Sequence, residues 1–266
     1  MLEISSNSNP RIKDVIALQE KSAVRRKNGR FVIEGIRETE QALAAGYRLQ
    51  TLFFTPELET KRPDLIRMAD ENKAALCRIT ASVYQRLAYR GSTEGAIAVA
   101  YTPEQGLDTL KLSAAPLIIV LESVEKPGNL GAILRTADAV HADAVLVCDP
   151  LTDLYNPNII RSSLGGVFSV PLRACTSENA ASWLKQHQIR IFTAQLQDSE
   201  LYYDTDMTCG CALVMGTEAT GLTDFWRQQA DAHIRIPMLG RIDSLNVSVS
   251  TAILCYEAIR QRHGKR

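Results

Sequence analysis

Arg135, Glu218, Ser244 and Asn246 are the side chains of this 266-residue chain whose types and settings could do chemistry. Arg135 follows an apolar run, residues 117–121, and a turn over residues 125–131 that holds Pro127, Gly128, Asn129 and Gly131. A buried strand, a glycine-bearing turn and a helix carrying Arg135 one turn in would gather backbone N–H groups and a guanidinium around a phosphate. The ordinary alternative is a strand-to-helix turn with a surface arginine. Glu218 stands between Gly216 and Gly221 behind a second apolar run, residues 212–215. That puts a carboxylate at the carboxyl end of a strand, where sites of open α/β sheets lie, though it could equally pair with a lysine or cap the next helix. Ser244 and Asn246 come after Ile236, Pro237 and Met238 and before a helical stripe, and either alone reads as a helix cap. Gly128 and Gly131 do not supply the G-x-G-x-x-G of a dinucleotide fold, which disfavours a nicotinamide-dependent dehydrogenase.

The elements that must position these groups read as two α/β alternations. Strands are predicted near 31–33, 51–54, 75–79 and 96–100, with helices near 37–45, 64–72 and 82–88, giving an α/β/α sandwich over residues 1–102. Residues 103–115 have the turn composition of a linker. In residues 116–266, strands are predicted near 117–121, 144–148, 189–193, 212–215 and 233–236, and helices near 131–141, 158–165, 178–187 and 245–263. The first of these strands is nearly all apolar, as in a buried parallel sheet.

The net charge of zero divides unevenly: residues 1–102 carry 16 Lys+Arg against 12 Asp+Glu (+4), and residues 103–266 carry 14 against 18 (−4). The basic half is the better candidate for a polyanion, with Arg25, Arg26 and Lys27 at its densest point, although such a run is often only a solvated helix face. Affinity for such a polyanion is therefore expected mainly in residues 1–102. No apolar run of about 18 residues is present and the start lacks a secretory signal, so no membrane contact and a cytoplasmic location are expected. Six cysteines, at 77, 148, 175, 209, 211 and 255, show no CxxC spacing and the four histidines do not cluster with them. They read as buried free thiols, and no metal is expected.

Taken in order, the three blocks around Asn129–Arg135, Gly216–Leu222 and Ile236–Val249 resemble the signature motifs of the SpoU/TrmH branch of the SPOUT methyltransferases. The string Ser244-Leu245-Asn246-Val247-Ser248-Val249 behind Ile236-Pro237-Met238 is the most specific part, and capping alone does not account for it. The resemblance implies a C-terminal SPOUT α/β domain with a deep trefoil knot. Residues 30–35 and the helix after them are similar to a smaller N-terminal α/β/α substrate-binding domain of L30e/L7Ae-like fold. It further implies S-adenosylmethionine as cofactor, held around Gly216, Ile236, Met238, Leu245 and Val247, a homodimer, and methylation of a ribose 2′-hydroxyl in RNA. By the same resemblance Asn129, Arg135, Glu218, Ser244 and Asn246 are the catalytic positions. A guanidinium is not deprotonated in proteins, so Arg135 is expected to fix a phosphate and stabilise the 2′-oxygen, with Glu218 orienting it or accepting a proton. The separate first domain points to rRNA; a tRNA target, or a non-catalytic RNA-binding or ribosome-assembly protein, are the alternatives. The stretch before Asn129, residues 122–128, departs from the commoner Asp-Pro-x-Asn form, which leaves the shape of the first turn open.

Overall fold

The computed structural model describes residues 1–88, 94–104, 106–217 and 220–264. The chain forms two units, Met1–Glu104 with Asp153–Ser169, and Gln105–Thr152 with Val170–Arg266.

The first unit runs β1 (Leu2–Ile4), α1 (Pro10–Glu20), α2 (Ser22–Asn28), β2 (Arg30–Glu34), α3 (Ile36–Ala44), β3 (Leu49–Phe54), α4 (Pro56–Lys61), α5 (Pro63–Glu71), β4 (Ala75–Ile79), α6 (Ala81–Leu87) and β5 (Ala96–Tyr101). Its strands are ordered β1-β4-β3-β5-β2, with β5 antiparallel to both of its neighbours. Asn9 starts α1 by accepting from the Arg11 N–H, and Pro10 occupies a first-turn position that needs no donor. Ile12, Val15 and Leu18, at helical spacing, then pack with Val32, Phe53 and Ile97.

Arg25 lies at the centre of the basic run but is not a surface residue. It is 4% exposed and ion-paired with Asp153, and its Nη1 donates to the carbonyls of Leu18 (2.6 Å) and Gln19 (3.0 Å). The RNA-contact expectation for Arg25 is therefore corrected, because this guanidinium serves the interior of the unit. Arg26 and Lys27 remain exposed on α2. Removing one member of a buried pair leaves the other charge uncompensated, so Arg25→Ala should cost about 3–5 kcal/mol of stability. Denaturant unfolding of the full chain measures it.

The second unit begins with β6 (Leu117–Glu122), α7 (Pro127–Ala139) and β7 (Ala144–Cys148). After β7 the chain carries α8 (Pro157–Ser162) and α9 (Gly166–Ser169), both of which fold with the first unit. There α8 packs on β2 and α9 on α3. Tyr155 stacks on Phe31 at 4.2 Å between ring centroids, and Phe168 meets Tyr47 edge-on at 5.1 Å. The sequence division at 103–115 does not anticipate this: the first unit is built from two stretches of chain.

The second unit resumes with β8 (Leu172–Cys175), α10 (Ser177–Gln186), β9 (Arg190–Ala194), β10 (Glu200–Leu201), β11 (Cys211–Met215), α11 (Asp224–Gln229), β12 (Ala232–Arg235) and α12 (Val247–His263). Its seven strands are ordered β10-β12-β9-β11-β6-β7-β8 and every pairing is parallel. The central strands are buried on both faces, which explains their unbroken apolar runs. Chain order along the sheet breaks at β11, which lies between β6 and β9, so loops on either side of it diverge at the carboxyl ends. At the far end, Arg262 of α12 donates to the carbonyls of Ala115, Met207 and Cys209, tying this helix to the strand starts. Cys77, Cys148, Cys211 and Cys255 are buried free thiols, Cys175 and Cys209 half-buried ones, and burial pushes the Cys211 thiol up to about 11.

One local expectation changes. α7 starts at Pro127, four residues earlier than the pattern predicts, because proline suits the first helical turn and Lys126 closes the preceding loop. Arg135 is thus eight residues in, about 12 Å along the axis, and the N-terminal N–H groups of α7 do not share a site with it.

Candidate active site

Loops from the carboxyl ends of β9, β11 and β12 surround a cavity of about 490 Å³, closed on one side by the first turns of α12. All five residues expected to hold a cofactor line it: Gly216, Ile236, Met238, Leu245 and Val247. Met215, Ile234 and Leu254 add buried apolar wall. A cavity of this size, lined by polar and apolar side chains in similar measure, suits a purine nucleoside carrying a short polar tail.

Gly216 is there because nothing else fits. A Cβ at this position would stand 2.3 Å from the carbonyl carbon of Gly221. The two ends of the loop are pinned together by mutual bonds between Thr217 and Gly221 (3.2 and 3.1 Å), and Gly221 itself needs a positive φ of 69°. Gly216→Ala should force the two backbones apart and lower methyl transfer on the order of 10²-fold, the scale set by misplacement of about an ångström. Single-turnover transfer from S-adenosylmethionine would read this. Glu218 lies outside the described residues.

Beside the cavity, and sharing Gly216, Thr217 and Val247 with it, is a recess of about 100 Å³ that also touches Lys126 and Asn129. Asn246 joins the two. Its Oδ1 caps α12 by accepting from the Ser248 N–H (3.0 Å) while its Nδ2 donates to Asn129 Oδ1 (3.1 Å). The capping account of Asn246 is therefore correct but incomplete, since one amide does both jobs and fixes the start of α12 against α7. Ser244 does not cap; it is exposed, donates to Asp243 (3.3 Å) and lines the cavity. Arg135 is exposed and lines neither the cavity nor the recess.

Two carboxylates that the sequence reading passed over hold this arrangement. Glu122, 5% exposed at the end of β6, accepts from the Thr223 N–H (2.9 Å) and hydroxyl (2.7 Å). Asp149, after β7, accepts from the Ser177 hydroxyl (2.6 Å), and Ser177 in turn accepts from the buried Trp226 indole (3.0 Å). Together they clamp α11, and with it the exit of the Gly216–Gly221 loop, to the sheet. The available signal was an acidic residue closing an apolar strand, a setting in which an unpaired charge would be costly.

Residues 116–256 match the model of the SpoU rRNA Methylase family, over half of the chain. The chain belongs to this family. Residues 9–98 match the MRM3-like substrate binding domain. Over 96% of this SpoU-family chain and 98% of the relative, it is 28% identical to the 23S rRNA (guanosine(2553)-2'-O)-methyltransferase RlmP of Bacillus subtilis (strain 168). A solved RNA 2'-O ribose methyltransferase is 38% identical, with 98% of this chain and 99% of that one covered and a TM-score of 0.78. The rRNA methyltransferase of Sinorhizobium meliloti, solved with S-adenosylmethionine bound, superimposes with a TM-score of 0.90 at 26% identity, covering 97% of each chain. Membership makes this chain a methyltransferase with S-adenosylmethionine as its methyl donor.

Proposed function

We propose that this chain methylates a ribose 2′-hydroxyl of ribosomal RNA. The observation that carries the reading is the cavity lined by Gly216, Ile236, Met238, Leu245 and Val247 opening beside the Asn129–Asn246 pair, on a chain that aligns over both of its units with a 23S rRNA 2′-O-methyltransferase. Bound S-adenosylmethionine supplies an electrophilic methyl group, and the chain's own residues must position and activate the oxygen that attacks it. Asn246 and Asn129, held to each other, define the edge of the recess that receives the ribose, and Ser244 sets the entrance of the cavity. Glu218 is assigned to orienting the guanidinium or taking the hydroxyl proton. Arg135 is assigned to the neighbouring phosphate and to the charge developing on the 2′-oxygen.

The reading includes a homodimer. Leu239 (97% exposed), Ile242, Val249 and Tyr256 place an apolar face along the loop before α12 and along α12 itself, more than a solitary chain leaves open without cause. A second copy docked there would also account for Arg135, which lines neither the cavity nor the recess and would then serve its partner's. The trefoil knot belongs to the same reading, supported by β11 lying between β6 and β9 and by the return of α12 onto α7. The L30e-like first domain is supported by the five-stranded mixed sheet, and a cytoplasmic location by the substrate. Among the described residues no helix is long and apolar enough to cross a membrane. Mapping 2′-O-methylation across rRNA and tRNA in cells with and without the gene tests the assignment: a methyl mark lost from rRNA is expected, and loss confined to tRNA would transfer the enzyme to the other substrate.

A further inference from the structure

Arg227, on α11, is one of the three charged side chains among the described residues of the cavity lining, with Arg235 and Asp243. Its side chain is about one-third exposed, and among the described residues its Nε is buried without an acceptor and its one ion-pair partner is Asp224, a carboxylate 86% exposed and 3.6 Å away. A guanidinium half-enclosed in a ligand cavity with so loose a partner has unspent capacity for an anion. Nor is it placed casually. The helix that carries it is clamped on both sides, by Glu122 through Thr223 and by Asp149 through Ser177 and Trp226.

The position of the cavity's reacting end narrows what that anion is. The recess for the acceptor ribose meets the cavity at Gly216, Thr217 and Val247, so the donor's sulfonium belongs at that junction. The amino-acid tail branches from the same sulfur and ends in a carboxylate a few bonds away. Arg227 lies six residues beyond Gly221, on the helix that follows the Gly216–Gly221 loop, and Leu222 at the loop's exit lines the cavity with it. Arg235 is the other cavity arginine, but it ends β12, two strands further from β6, and its Nη1 is directed to Ser199 (3.4 Å).

Resting on the reading of this cavity as the S-adenosylmethionine site, we propose that Arg227 binds the cofactor's α-carboxylate, and so makes the cavity selective for donors and products that retain the amino-acid tail. This residue binds and selects; it has no part in moving the methyl group or a proton.

Calorimetric binding of S-adenosylmethionine and of decarboxylated S-adenosylmethionine, which differ only in the carboxylate, tests the assignment in the full chain, in Arg227→Ala and in Arg235→Ala. The full chain should prefer S-adenosylmethionine by about 10- to 100-fold, the range of one charge-assisted contact. Arg227→Ala should erase that preference while binding the decarboxylated compound as before, which also certifies that the variant is folded; Arg235→Ala should keep it. A preference that survives Arg227→Ala, equal losses for both compounds, or a selective loss in Arg235→Ala instead would overturn the role of Arg227. No binding of either compound by the unaltered chain would instead overturn the cofactor reading of the cavity itself.

Discussion

Arg135→Ala should lower methyl transfer by roughly 10²- to 10³-fold in single turnover while leaving S-adenosylmethionine affinity essentially unchanged. The separation of the two effects follows from placement: Arg135 is exposed on α7 and does not line the cavity proposed to hold the cofactor. Arg135→Lys should also fail, because an ammonium cannot reproduce the planar two-pronged contact of a guanidinium with phosphate. Since the cavity and Arg135 do not meet in one chain, mixing two inactive variants is informative. A dimer of Arg135→Ala with Gly216→Ala contains one intact cavity facing one intact Arg135 if the arginine acts across the dimer, and none if it acts within its own chain. Recovered activity is the expected result. Absence of recovery in a mixture shown to exchange subunits would place Arg135 in its own chain's site, and full activity of Arg135→Ala alone would remove it from the mechanism.

How much of this was legible in the sequence depended on whether a local pattern had a single structural outcome. The buried parallel strands were legible because both faces are apolar, as in residues 117–121 and 144–148. The edge strands β1, β8 and β10 were not; they are short, and half of their surface carries no apolar demand. The start of α7 was misplaced although Pro127 marked it, because the glycines at 128 and 131 were read as a turn; Gly131 is in fact buried inside the helix. Gly216, Ile236, Met238, Leu245 and Val247, which line the cavity, stood out because the motif string names them, whereas Glu122, Asp149 and Arg227 carry no motif and acquire meaning only once α11 is seen clamped over the cavity. Arg25 shows the opposite failure. Its neighbours in sequence are basic and exposed, yet its partner, Asp153, lies 128 residues away, and no local pattern distinguishes a buried arginine within a basic run.

The same partner changes what a truncation does. A chain lacking residues 1–102 is expected, on sequence division alone, to be a self-sufficient cofactor-binding domain; the structure predicts that it is not. Such a chain keeps Asp153–Ser169 but loses β2 and α3, against which that segment folds. Tyr155, Ile159, Ile160, Val167 and Phe168, each at most 9% exposed, would open to water, and Asp153 would lose Arg25. At about 1.5–3 kcal/mol per large apolar side chain this is a substantial loss, and the contiguous patch it uncovers favours aggregation. The segment cannot simply be cut out. β7 and β8 are parallel neighbours, and a parallel pair needs a crossover of roughly a dozen residues, which here is the very stretch lent to the first unit. The truncated chain is therefore expected to bind a hydrophobic dye and to aggregate, and co-expression of residues 1–104 as a separate fragment should restore solubility by docking onto the exposed segment. Arg25→Ala in that fragment should weaken the rescue. Light scattering and co-purification of the two fragments read the outcome, and a truncated chain that is monodisperse, dye-negative and indifferent to the fragment would show that Asp153–Ser169 does not depend on the first unit for its fold.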